Sequence, residues 1–143
     1  MTRARTLGIV MALVGSSGSM AQRPDARPDT PPAPSADLAQ ALTGRVAGKP
    51  VNCITASRVS GPDIIDQNNI IYRETRSRVW LNRLRDKCPV LRDNDIVVVE
   101  RFGDQLCRYD RFRVVNRNSG FGSAYCILGT FTPYDLPKGA PKR

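Results

Sequence analysis

The 143-residue sequence contains no histidine. This absence excludes, within a single chain, the Ser-His-Asp and Cys-His arrangements of nucleophilic catalysis and all histidine-ligated metal sites. Four cysteines are present, but no two of them form the Cys-x-x-Cys pair that is typical of zinc sites. We therefore expect no catalytic residue, no metal and no cofactor, and we predict that the protein is not an enzyme.

Long hydrophobic runs are also absent. The most apolar run near the N-terminus, Leu7 to Val14, follows Arg3 and Arg5 and precedes the small residues that end at Ala21. A membrane-spanning helix needs about 20 apolar residues. The basic, apolar, small-residue order is instead typical of a signal peptide. We predict that residues 1–21 are a signal peptide cleaved after Ala21, that the mature chain has no transmembrane segment, and that it is periplasmic or secreted.

The composition divides the remaining chain into three parts. Residues 22–36 are rich in proline and contain no bulky apolar side chain, which predicts a disordered spacer. Residues 37–136 are predicted to form one small β-rich domain stabilised by disulfides, and residues 137–143 a basic flexible tail. A short helix is expected over Asp37 to Leu42, with Ser35 or Asp37 as its N-cap.

The fold predicted for the domain is mainly β, a small barrel or sandwich of about six short strands with one short N-terminal helix. A polar turn, Asp66 to Asn69, separates the first two strands and indicates a hairpin. Single helical turns are expected at Leu84 to Leu91 and at Gly103 to Cys107. The predicted strands are residues 64–65, 70–72, 78–81, 96–99, 112–115 and 124–128.

The cysteines Cys53, Cys88, Cys107 and Cys126 are even in number, which predicts two disulfides in an exported chain. Four cysteines allow three pairings. We favour the nested pairing, Cys53–Cys126 outside and Cys88–Cys107 inside. Its outer bond would join the start of the domain to its last strand.

Positive charge is the feature most suggestive of function, since the formal net charge is +9. Arginines interleaved with aromatic residues on a β surface can bind polyanions. In an exported protein, an anionic lipid or polysaccharide of the envelope is a better candidate partner than nucleic acid. The alternative is that these arginines only keep exposed strand faces soluble. The predicted anion-binding surface comprises Arg73, Arg76, Arg78, Arg83 and Arg85, and a second basic and aromatic segment comprises Tyr109, Arg111, Phe112 and Arg113.

Two other classes of function stay open. A protein-interaction or inhibitor module of the periplasm would be marked by an exposed apolar patch around Tyr125, Phe131 and Tyr134. An enzyme using carboxylates would need a cleft that joins two acids, at least one with a raised pKa. The acids considered are Asp93, Asp95, Asp104, Asp110, Glu74 and Glu100.

The residues around the cysteines form an ordered set of motifs. The motifs are Cys53-Ile54, Ile64-Ile65-Asp66 followed by Ile70-Ile71-Tyr72, Asn82-x-Leu84, Cys88-Pro89-x-Leu91, Leu106-Cys107-x-x-Asp110 and Cys126-x-Leu128-Gly129-x-Phe131-x-Pro133. Together the set resembles a domain-of-unknown-function family of small exported alphaproteobacterial proteins, over about residues 50–135. The resemblance implies an exported, cysteine-paired domain and no particular activity. One departure is Asn82-Arg83-Leu84, where an acidic residue is expected before the leucine.

Overall fold

The computed structural model describes residues 34–139. The predicted signal peptide, most of the predicted spacer and the end of the predicted tail lie outside this range. Helix α1 (Ala36–Ala41) is capped by Ser35, whose Oγ accepts a hydrogen bond from the Leu38 N–H (3.3 Å). No helix within residues 34–139 is long and apolar enough to cross a membrane.

Strands make up most of the regular structure, so the mainly β prediction is confirmed. They form three antiparallel sheets with the strand orders β1-β10-β5-β4-β3, β2-β7 and β6-β8-β9, none of which closes into a barrel in the described part of the chain. A 3₁₀ turn, Ala56–Arg58, follows β2. The strands are β1 (Val46–Ala47), β2 (Cys53–Thr55), β3 (Ser60–Asp66), β4 (Asn69–Arg73), β5 (Arg78–Arg83), β6 (Ile96–Glu100), β7 (Gln105–Cys107), β8 (Arg111–Val115), β9 (Gly122–Ile127) and β10 (Phe131–Asp135).

The six predicted strands correspond to β3, β4, β5, β6, β8 and β9, and the hairpin at Asp66 to Asn69 joins β3 to β4. The helical turn predicted at Gly103 to Cys107 is wrong, because Gln105–Cys107 forms β7 and pairs with β2. No helix forms at Leu84 to Leu91 either. A strand of two or three residues is too short to show an alternating pattern. Such strands form only because a distant segment pairs with them.

The five-stranded sheet is buried on both faces, because side chains alternate along its central strands. On one face, Ile71, Val79 and Leu81 pack under Leu38 of α1. On the other face, Tyr72 packs in the main core, which also contains Phe112, Leu128 and Phe131. Val79 and Leu81 therefore lie on the opposite face from Trp80, and both faces of the sheet contribute to stability.

The disulfides are Cys53–Cys107 and Cys88–Cys126, so the nested pairing is wrong. Cys53 and Cys107 are directly opposite each other on β2 and β7, with their Cα atoms 4.0 Å apart. Cys88 lies in the loop after β5 and is fully buried beside the core. The nested prediction assumed that β9 closes the domain, whereas β10 does, by pairing with β5 and β1.

The two disulfides differ in access to solvent, and this predicts an order of reduction. Cys53 is exposed, whereas no part of Cys88 is accessible. Thiol–disulfide exchange requires a thiolate to reach a sulfur atom. Under native conditions a mild reductant should therefore open Cys53–Cys107 first, and alkylation followed by peptide mass spectrometry should label that pair. Labelling of Cys88 and Cys126 at an equal rate would contradict the prediction.

Candidate anion-binding surface

The five predicted arginines do not share one surface. Arg73, Arg76 and Arg78 lie near the start of β5, whereas Arg83 ends the strand and Arg85 follows it. Six residues of extended strand span about 17 Å. The first three are also divided between faces, since Arg73 is paired with Val79 and Arg78 is on the face of Trp80.

Two of these arginines are already bound to carboxylates. Arg78 donates two hydrogen bonds to Asp135, from Nε (2.8 Å) and Nη2 (2.9 Å). This pairing raises the pKa of the Arg78 guanidinium and lowers that of the Asp135 carboxyl. Arg73 Nε donates to Asp63 Oδ2 at 2.6 Å. An external anion would have to compete with these carboxylates.

A small cavity of about 240 Å³ lies beside this end of β5 and has Glu74, Arg58 and Trp80 in its wall. Trp80 Nε1 donates to Glu74 Oε2 (2.9 Å), and Arg58 Nη2 lies 2.9 Å from Glu74 Oε1. Both oxygens of the Glu74 carboxylate are therefore already bound by groups of the protein. The arrangement explains how a mostly buried carboxylate is stabilised.

A second group of arginines is arranged around two exposed tyrosine rings. The Arg108 guanidinium carbon lies 4.3 Å from the centroid of the Tyr109 ring, and that of Arg85 lies 5.9 Å from it. Arg111 and Arg113 lie 4.9 and 5.5 Å from the Tyr125 ring. These are cation–π distances. We call the group the arginine–tyrosine face: Arg85, Arg108, Tyr109, Arg111, Arg113 and Tyr125.

The β8–β9 pairing forms the part of this face around Tyr125. Phe112 and Val114 are buried, so alternation directs Arg111 and Arg113 outward. Arg113 is directly opposite Tyr125 on β9. At the end of β9, Ile127 accepts a hydrogen bond from the Arg85 N–H (3.2 Å). This contact holds the loop after β5 next to the sheet.

Tyr109 has an unusual backbone conformation. Its φ is +76°, and it is the one non-glycine residue with a positive φ in the described range. For an L-residue this region costs about 1 kcal/mol. Backbone strain of this kind is concentrated at functional sites. Tyr109 is therefore held, at some cost in stability, where its exposed ring meets two guanidinium groups.

The arginine–tyrosine face has more positive charges than negative ones, because two acids, Glu100 and Asp86, lie among four arginines. Glu100 accepts a hydrogen bond from Tyr125 Oη (2.6 Å), which raises the pKa of Tyr125, and lies 3.4 Å from Arg111. Asp86 lies 3.5 Å from Arg85. No carboxylate within residues 34–139 comes within 4.0 Å of the side chains of Arg108 or Arg113. Arg108 Nη2 donates to Tyr109 Oη. Neither guanidinium group has a carboxylate partner in this part of the chain.

Sequence reasoning identified part of this face. Arg85 was in the predicted surface and Arg111 and Arg113 in the second basic segment, but Arg108 was overlooked. Tyr125 was assigned to an apolar patch with Phe131 and Tyr134. That patch does not exist, because Phe131 is fully buried and Tyr134 packs in the cluster beneath α1. The register of the β8–β9 hairpin, which sets Tyr125 opposite Arg113, would have been needed to predict that Tyr125 belongs to this face.

Two of the acids considered for catalysis, Asp104 and Asp110, make hydrogen bonds that stabilise turns of the fold. Asp104 accepts hydrogen bonds from Ser57, and these lower its pKa. Asp110 accepts one from the Cys107 N–H (2.7 Å), as a turn before β8 requires. In residues 34–139 no three acids, cysteines or histidines are grouped so that they could hold a metal ion.

The paired cysteines and the arginine–tyrosine face lie in a region that a protein-family model covers. The model matches residues 1–136. The chain belongs to the family of unknown function DUF6491. The DUF6491 match is longer than the 50–135 region suggested by the cysteine motifs, and it includes the predicted spacer. No curated protein and no solved structure matches the chain.

Proposed function

We propose that this DUF6491 protein is an exported, non-enzymatic binding module that holds an anionic component of the cell envelope on its arginine–tyrosine face. The observation that carries the proposal is that four guanidinium groups surround two exposed tyrosine rings, and that two of them, Arg108 and Arg113, have no carboxylate partner in the described range. Guanidinium groups without a carboxylate partner favour phosphate and carboxylate ligands.

Export is part of the same proposal. The N-terminal pattern of basic, apolar and small residues supports it. The two disulfides support an oxidising compartment such as the periplasm, as does the resemblance to exported alphaproteobacterial proteins. There the available polyanions are phospholipid head groups and acidic polysaccharides, so nucleic acid is not the partner we propose.

The predicted set Arg73, Arg76, Arg78, Arg83 and Arg85 enters the proposal only through Arg85. Arg73 and Arg78 have carboxylate partners. Binding through the start of β5 would need these pairs to open, whereas binding through Arg108 and Arg113 would not. We therefore place the ligand at the latter.

The test compares two double variants that remove the same charge. Arg108→Gln with Arg113→Gln should weaken retention on phosphatidylglycerol vesicles by about 10- to 30-fold at low salt, since each arginine near an anionic surface contributes about 1 kcal/mol. Arg73→Gln with Arg76→Gln should change retention less than threefold. Cosedimentation with vesicles measures both, and pull-down on immobilised lipopolysaccharide is the polysaccharide-bearing arm.

Equal losses in the two double variants would show that retention follows net charge alone and would overturn the assignment to this face. A larger loss in the Arg73 and Arg76 variant would favour the start of β5 instead. Retention on lipopolysaccharide without retention on vesicles would identify the polysaccharide as the source of the anionic group.

A protein-interaction or inhibitor module is the second candidate. Phe121 is 81% exposed beside a cavity of about 300 Å³ that Val90 and Val114 also line. Phe102 is 98% exposed. Exposed apolar side chains next to a cavity are a feature of protein-binding surfaces. The absence of retention on both anionic matrices would favour this candidate.

A further inference from the structure

Strand β6 forms one edge of the three-stranded sheet, and its outer side is open. Val114 on β8 donates its N–H towards β9, to Ser123 Oγ (3.1 Å). Backbone groups alternate in direction along an antiparallel strand. The N–H and C=O groups of Arg113 therefore point towards β6, where Arg113 is paired with Val98. Val97 and Val99 consequently point their N–H and C=O groups away from the sheet.

These outward groups of Val97 and Val99 have no hydrogen-bond partner within residues 34–139. Open edges readily pair with another chain, and natural proteins obstruct them with proline, bulges or very short strands. The other edges of the two larger sheets follow that rule. β3 contains Pro62 and two register shifts, β9 has a register shift opposite β8, and β1 has only two residues.

The sequence of β6 has none of these devices. It reads Ile-Val-Val-Val-Glu, with no proline or glycine and with an unbroken register to β8. Ile96 and Val98 are 40% and 41% exposed on the outer face. Four consecutive β-branched residues on a regular edge favour the addition of a strand.

We propose that β6 pairs antiparallel with β6 of a second copy of this chain, so that two three-stranded sheets form one continuous six-stranded sheet. The outward groups fix the register. With Val98 opposite its own symmetry mate, Val97 of each copy is opposite Val99 of the other, and each such pair exchanges two backbone hydrogen bonds. This register also pairs the strand over its whole length.

Charge complementarity favours a second copy over an unrelated peptide. The same register places Asp95 of one copy opposite Arg101 of the other, at both ends of the paired strands. Within one chain, Asp95 accepts from Asn116 Nδ2 at 3.3 Å, and Arg101 lies 3.5 Å from Asp104. Arg101 Nη1 also donates to the Gly103 carbonyl oxygen at 2.8 Å. Arg101 Nη2 and Asp95 Oδ2 have no partner within residues 34–139, so both side chains can add one. An antiparallel register shifted by two residues separates Asp95 from Arg101 at both ends, because the pair is two-fold symmetric, and it also shortens the ladder.

The dimer does not depend on the proposed function, but it bears on it. The two-fold axis of such a strand pair is perpendicular to the sheet, so both copies present the same face on the same side. If the arginine–tyrosine face binds polyanions, the dimer would present two such faces to one membrane or polymer. Two linked sites bind a multivalent surface more tightly than one.

Sedimentation equilibrium of the protein produced from the full coding sequence, without any ligand, tests the proposal. The wild type should show a monomer–dimer equilibrium with a dissociation constant below about 500 μM. Val98→Lys places two ammonium groups opposite each other across the axis, and should raise the dissociation constant at least tenfold. Val90→Lys is the matched control, since Val90 is 42% exposed and lies outside β6. It should leave the constant unchanged.

A charge exchange tests the register separately. Asp95→Arg alone and Arg101→Asp alone should each raise the dissociation constant by about fivefold. The double exchange should restore it to within twofold of the wild type. A wild type that is monomeric throughout, equal effects of the Val98 and Val90 variants, or a double exchange weaker than either single change would each overturn the proposal.

Discussion

Replacing Gly129 by alanine should lower the free energy of unfolding by about 4 kcal/mol or more. A Cβ atom at this position would lie 1.8 Å from the Arg83 carbonyl oxygen and 3.0 Å from its carbon. Both are backbone atoms at the end of β5, so no side-chain rotation can relieve the overlap. The segment between β9 and β10 would have to move away from the sheet.

That movement would also break a buried pair of hydrogen bonds. Asn82 Nδ2 donates to the Gly129 carbonyl oxygen (2.8 Å), and Asn82 Oδ1 accepts from the Gly129 N–H (3.1 Å). Asn82 is fully buried. Buried polar groups that lose their partners cost about 1–3 kcal/mol each, so the steric effect and the hydrogen-bond effect act in the same direction.

Urea unfolding followed by the fluorescence of Trp80, the single tryptophan, measures the change. Gly122→Ala is the control, because its Cβ would meet nothing closer than Val115 Cγ2 at 4.0 Å. Its free energy of unfolding should lie within about 0.5 kcal/mol of the wild type. Similar stabilities for the two variants would mean that the close approach of Gly129 to β5 is not a feature of the folded protein.

Removal of the Cys88–Cys126 disulfide, by alanine at both positions, should cost about 5 kcal/mol. Chain entropy accounts for about 4 kcal/mol at a separation of 38 residues. Loss of the buried sulfur atoms adds about 1 kcal/mol, because Cys88 packs in the main core and Cys126 packs against it. A loss of this size is comparable with the whole stability of a small domain.

The Cys53–Cys107 disulfide provides the comparison. Its separation of 54 residues gives a chain-entropy contribution only about 0.3 kcal/mol larger. Cys53 is exposed, however, so alanine at these two positions should cost about 4 kcal/mol, with little loss of packing. Urea midpoints of the two double variants measure the difference. A greater loss from the Cys53 and Cys107 variant would show that loop length, and not burial, sets the order.

The contacts of Gly129 give two of the sequence motifs around the cysteines a physical meaning. Asn82 and Gly129 belong to separate motifs, 47 residues apart, yet they bind each other in the core. In the sequence, Asn82-Arg83-Leu84 is notable only because an acidic residue is expected before the leucine. The side chain that matters is Asn82, and a carboxylate in its buried place could not donate to the Gly129 carbonyl.

Local patterns in the sequence are enough to predict several elements of the fold. Apolar alternation and β-branched runs located six strands, and a polar turn located the β3–β4 hairpin. Ser35 was one of two candidate caps, and the absence of histidine excluded whole classes of chemistry. Each of these inferences uses residues within a few positions of one another, where backbone geometry links sequence directly to conformation.

Which distant segments meet depends on tertiary packing. The pairing of β2 with β7 places Cys53 opposite Cys107. Because β10, and not β9, is the last strand of the domain, Cys126 on β9 pairs with Cys88. The strand register dispersed the arginines around β5. Backbone hydrogen bonds of two loops to Ile127 and Leu128 hold Arg85 beside Tyr109, which lies on a different part of the chain. Such contacts follow from how the sheets pack, and packing depends on the shape and burial of the whole core, which no local pattern encodes.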